Sequence, residues 1–104
     1  MDTPISARTA ILSVLTSGQS FGLEIIEKVR ERTKGQILLN EGSVYPALKA
    51  LEREGLVRSF TGEPMAERGG RPRRYYELTA EGRHTAQAQR TALLSLLVPT
   101  PEPA

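Results

Sequence analysis

The chain has 104 residues, 25% of them charged and 38% hydrophobic, with a formal net charge of +2. That is room for one domain of ordinary globular composition. The absence of cysteine excludes a disulfide framework, a thiolate metal site and a cysteine nucleophile. No apolar run is long enough to span a membrane and no signal-peptide pattern opens the sequence, so the expected location is cytoplasmic.

In chain order, residues 5–16 predict a first helix. Ile11, Leu12 and Leu15 form its apolar stripe, and Gly18 follows as a stop. Ser20 is expected to cap a second helix over residues 21–33, its hydroxyl accepting from first-turn amides. Leu23, Ile26 and Val29 are expected to face inward there, with Glu24, Glu27, Lys28, Arg30 and Glu31 outward. A third helix ends at Gly55. Val44, Leu48 and Leu51 mark its buried face, and Tyr45, Lys49 and Arg53 occupy the other at four-residue intervals. Two starts fit the pattern. With Ser43 as the cap, Pro46 stands in the first turn and costs little; with Asn40, the helix gives up a backbone hydrogen bond.

After Gly55 the pattern changes. Residues 56–61 and 73–78 are rich in strand formers, and the eleven residues between them, Gly62 to Pro72, are rich in glycine, proline and charge. This predicts an antiparallel hairpin with a long tip. Alternation puts Tyr76 and Leu78 on the core face of the second strand and Tyr75 on the other. Thr79 is expected to cap a last helix over residues 80–98, polar at its start and apolar at its end. Residues 99–104, Pro-Thr-Pro-Glu-Pro-Ala, predict a disordered tail.

Three helices followed by a two-stranded hairpin is the order of a winged helix-turn-helix. The expected fold is mainly α with a small β-hairpin (α+β): residues 1–78 form the winged domain and residues 79–98 a dimerisation helix. In that layout the third helix enters the major groove of double-stranded DNA, and the wing reaches the backbone or a minor groove. Ser43, Tyr45 and Lys49 are the candidate contacts on the third helix, with Tyr45 packing against the hairpin as the alternative, and Ser20 is a candidate at the start of the second. Between Arg68 and Arg74 the chain carries four arginines and no acid. Arg68 and Arg71 project from the tip, Gly70 lets the backbone turn, and only one of Arg73 and Arg74 is expected to face DNA, with Arg73 the candidate.

A last helix of about nineteen residues would extend roughly 28 Å, longer than a body this small can cover. Its leucines therefore predict a homodimer contact, formed by Leu93, Leu94, Leu96 and Leu97 with Ala86, Ile5 and Ile11. No nucleophile–base pair, metal cluster or phosphate loop stands out, so no enzymatic activity and no cofactor are expected, and the single histidine, His84, is assigned to solvated helix surface. A second function class fits the same fold: a protein-docking module whose arginine-rich wing meets an acidic partner.

The stretch Glu41 to Val57, EGSVYPALKALEREGLV, resembles the recognition helix of the PadR family of transcriptional regulators, with its Tyr-Pro-x-Leu and Leu-Glu-x-x-Gly-Leu signatures. Gly70 to Gly82, GRPRRYYELTAEG, is similar to that family's wing and the junction to its last helix, and Ser20-Phe21-Gly22 to the start of its second helix. The resemblance covers roughly residues 8 to 90. It implies a cytoplasmic homodimer, usually a repressor, bound to a palindromic operator, with the single last helix of the shorter members mediating dimerisation. Phe21 stands where tyrosine is common, which removes a hydroxyl from that position. Some short members bind drugs between aromatics of the last helix, but here no aromatic follows Tyr76. No effector is identified.

Overall fold

The computed structural model describes residues 5–62 and 73–98. The Ser6 hydroxyl accepts from the Thr9 amide and so caps α1 (Ala7–Leu15). Ala10, Ile11, Leu12, Val14 and Leu15 are all buried, because α1 runs through the middle of the domain, against α2 (Gly22–Arg32), α3 (Glu41–Arg53) and α4 (Ala80–Leu97). Burying a side chain such as Ile11 or Leu12 stabilises the fold by about 1.5–3 kcal/mol each. This placement corrects one expectation. Ile11 is fully enclosed by its own subunit, so its side chain is not available to a dimer contact.

Between α1 and α2 the chain forms a strand that the sequence pattern did not suggest, β1 (Ser20–Phe21). It pairs antiparallel with β3 (Arg74–Leu78), which in turn pairs with β2 (Val57–Thr61) to give the order β1-β3-β2. Ser20 therefore belongs to the sheet. Phe21 holds the cap position of α2 and makes no side-chain cap bond. The Ser20 side chain is fully buried and its hydroxyl donates to the Glu24 carboxylate at 2.6 Å, which corrects both of its expected roles, as a cap and as a DNA contact.

The inward face of α2 is Gly22, Ile25 and Val29, while Leu23, expected inward, is 47% exposed. Glycine carries no hydropathy signal, yet Gly22 is on the packed side because the Tyr45 ring occupies the space of its missing side chain. A Cβ there would come within 2.5 Å of the Tyr45 hydroxyl oxygen.

Of the two starts open for α3, the chain takes Asn40. Its side chain accepts from the Ser43 amide at 2.9 Å, and the Ser43 hydroxyl reaches back to the Asn40 backbone, closing a reciprocal capping box. Pro46 is thus the sixth residue of the helix, and the Gly42 carbonyl lacks the intrahelical amide it would otherwise receive. Val44, Leu48 and Leu51 are completely buried, as their spacing predicts.

The joint between α3 and α4 is the tightest in the domain. The Thr79 hydroxyl accepts from the Gly82 amide, capping α4, and donates to the Gly55 carbonyl at 2.6 Å. The Thr79 amide donates to the Leu56 carbonyl at 3.0 Å. A Cβ on Gly82 would stand 1.8 Å from the Leu56 carbonyl oxygen, so only glycine lets the two backbones meet. Gly55 itself has φ +77, the left-handed conformation that ends a helix without a side-chain penalty. Further along, Ala86 is buried against the body and the Gln89 amide donates to the Thr9 carbonyl at 2.9 Å. Ala86 is therefore core of one subunit and not interface, a second correction. Beyond it α4 leaves the body: Leu96 is 77% and Leu97 72% exposed, and Leu94 and Val98 are exposed too.

Candidate nucleic-acid interface

Tyr45, Lys49 and Arg53 are exposed along the outer side of α3, opposite the buried leucines. Next to them, between α3 and the sheet, opens a groove of about 450 Å³ lined by Tyr45, Pro46, Lys49, Glu52, Arg74 and Tyr76. Each wall has a local cause. Burial of Val44, Leu48 and Leu51 sets the rotation of α3 and so turns Tyr45 and Lys49 outward. The β2–β3 register, from Val57 opposite Leu78 to Thr61 opposite Arg74, sets which strand residues meet the helix.

Tyr45 lies across Gly22 with its ring partly covered. Burial, and then the negative charge of Glu41, hold its hydroxyl above the usual phenol range, so it stays protonated and able to donate. The ring packs on Gly22 at the start of α2, an element that neither expectation for Tyr45 named, and Tyr45 also lines the groove. The Ser43 hydroxyl, by contrast, is engaged in the α3 cap. Lys49 is exposed and makes no ion pair among the described residues.

Arg73 and Arg74, at the start of β3, part company. Arg74 lines the groove beside Lys49, whereas Arg73 lies over the Phe21 ring with its guanidinium carbon 4.3 Å from the ring centre. Phe21, Tyr75 and Phe60 form a row across β1, β3 and β2, edge-on at 5.6 Å and stacked at 5.8 Å, on the sheet face away from the core. An arginine over an aromatic face gains from the ring quadrupole and is held there. Alternation along the strand separates the two arginines and puts Arg74 on the side of Tyr76 and Leu78, the side that meets α3. The groove-lining residue is Arg74, which was not the sequence candidate. Glu52 was missed as well, since an acid on the exposed side of a helix looks like ordinary solvated surface.

Arg68, Gly70 and Arg71 lie outside the described residues, as does the 99–104 segment. At the other end of the molecule, Leu94, Leu96 and Leu97 are exposed, while Leu93 is half-buried and turned into a cleft between α1 and α4. Ile5 packs partly buried against the core. No helix among the described residues is long and apolar enough to cross a membrane.

Comparison with known proteins agrees with this architecture. Residues 11–88 match the model of the transcriptional regulator PadR-like family. The fold is similar to that of a PadR family transcription regulator from Clostridium difficile R20291, at 32% identity and a TM-score of 0.74 over 88% of this chain and 90% of that one. It is also similar to a transcriptional regulator from Clostridium thermocellum, at 30% identity and a TM-score of 0.70 over 88% and 87%. An uncharacterized protein of Lysinibacillus sphaericus is 26% identical over 73 residues, which are 70% of this chain and 64% of that relative's length. With three family signatures in order and a family match over most of its length, the chain belongs to the PadR-like family of transcriptional regulators.

Proposed function

We propose that the chain is a sequence-specific DNA-binding repressor that works in the cytoplasm as a homodimer on a palindromic operator. The observation that carries this reading is the groove between α3 and β3, open to solvent and lined by Lys49, Arg74 and Tyr45. A phosphate strand laid along it meets two cations and a hydrogen-bond donor, while the outer face of α3 enters the major groove. Arg68 and Arg71, with Gly70 between them, extend the basic surface from the wing. Two subunits pair through the exposed leucines of α4, with Leu93 and Ile5 at the edge of the contact, which sets two α3 helices about one DNA turn apart. Occupancy of the operator then blocks RNA polymerase.

Fluorescence anisotropy with DNA from upstream of the protein's own gene, at two salt concentrations and against a scrambled duplex, tests the reading. Tight binding that falls steeply with salt and that the scramble does not match is the expected result. Arg71→Ala weakens binding to every sequence, and Lys49→Ala relaxes sequence preference. Absence of binding to any duplex at low salt would overturn the reading in favour of a protein-docking module.

A further inference from the structure

A carboxylate in a groove meant for phosphate calls for an explanation. By itself Glu52 repels the backbone that Lys49 and Arg74 attract. Its contacts show what it holds instead: the Ser59 hydroxyl donates to Glu52 Oε2 at 2.6 Å, and Arg74 Nη2 donates to Ser59 Oγ at 2.8 Å. The chain of bonds runs from α3 through β2 to β3, each link polarising the next. We propose that Glu52 and Ser59 are positioning residues that aim the Arg74 guanidinium along the groove, where it binds a DNA phosphate. This rests on the DNA-binding reading above.

The spacer hydroxyl matters. A guanidinium has five N–H donors in a planar fork, and a direct ion pair with Glu52 would use the fork and neutralise the charge. No direct pair between the two is present among the described residues. Ser59 receives one N–H from Arg74 and passes the carboxylate's pull through its own proton. The remaining donors stay available for the two oxygens of a phosphate, and a long, mobile side chain is held in one direction before DNA arrives. Arg74 is thereby ordered in the free protein by a strand and a helix that both belong to the site.

The test is anisotropy with a fluorescein-labelled random-sequence duplex at low salt, a probe that reports phosphate contacts without requiring the operator. Ser59→Ala breaks the relay without changing charge, and Glu52→Ala breaks it while removing an acid. Both are expected to weaken binding by roughly three- to tenfold and to make the salt dependence shallower by about one phosphate's worth. Neither is expected to weaken binding further in an Arg74→Ala background, the signature of residues acting through Arg74. Ser59→Thr, which keeps the hydroxyl, should restore binding. Relaxation of the Arg74 Nε–H signal in the free protein should show an ordered group in the wild type and a mobile one in Ser59→Ala. Glu52→Ala binding as well as or better than wild type, or losses that persist without Arg74, would overturn the proposal while leaving the DNA-binding reading intact. A wild-type protein that binds no duplex would overturn both.

Discussion

The two ends of α4 are built on opposite principles. At its start, backbone meets backbone: Thr79 ties the helix to Gly55 and Leu56, and Gly82 leaves no room for even one carbon. At its end, Leu96 and Leu97 project into solvent, followed by exposed Val98, while Leu94 is half-exposed at the edge of the cleft against α1. One helix thus carries the tightest joint in the domain and its largest exposed apolar side chains. The close joint fixes the orientation of the helix; the exposed end is the proposed association surface. Each function can be removed by a change that leaves the other in place.

The largest effect is expected at the joint. Gly82→Ala puts a methyl group into the Leu56 carbonyl, where neither backbone can yield easily, and should cost about 3 kcal/mol or more. Urea unfolding measures this, and an unchanged midpoint would mean that the joint is looser than its geometry. The double change Leu96→Glu and Leu97→Glu comes next and acts in the opposite way. It should leave the monomer's melting behaviour nearly unchanged while weakening dimerisation by roughly 3 kcal/mol or more, at least about a hundredfold. Sedimentation across a concentration series reads the difference, and a dimer that persists would show that association uses another surface.

The smallest effect concerns the Arg8–Glu54 pair, which links the start of α1 to the C-cap of α3 at 2.6 and 2.7 Å, close in sequence to the joint but exposed to solvent. Its hydrogen bonds from Arg8 hold the Glu54 carboxyl below the usual carboxylate range. A depressed folded-state value contributes stability that is present above the unfolded value and is lost as pH falls through the folded one. An Arg8→Ala variant should therefore differ slightly from wild type at neutral pH and converge with it in acid. An equal gap at both pH values would assign the effect of Arg8 to packing and not to charge. Solvent screening keeps such exposed pairs weak, which is why this arm ranks last.

Most of the fold was legible because it is written in periodicity and capping. The buried faces of α1 and α3, the Thr79 cap and the two hairpin strands all follow from spacing that survives in one dimension. What was not legible depends on one element meeting another. β1 is two residues long, too short for alternation to show, and exists because β3 has an open edge beside it. Gly22 sits on a packed face for the sake of Tyr45, far off in sequence, so hydropathy assigned Leu23 inward in its place. In the candidate site, Tyr45 and Lys49 were visible from helix spacing. Arg74 shares the face of Tyr76 and Leu78, so alternation already favoured it over Arg73; seeing that Glu52 reaches Arg74 through Ser59 requires the strand register and the position of α3 together.

The joint at Gly82 also fixes a lever. From there to Leu97, where α4 (Ala80–Leu97) ends, the helix extends about 24 Å at 1.5 Å per residue. A tilt of about 10° at the base would swing the tip by roughly 4 Å, more than the ~3.4 Å rise between neighbouring base pairs. In the proposed dimer held together at the tips, the same tilt would carry each recognition helix off its half-site by about a base pair. On that reading, the absence of one methyl group at position 82 would bear on the operator spacing that the proposed dimer measures.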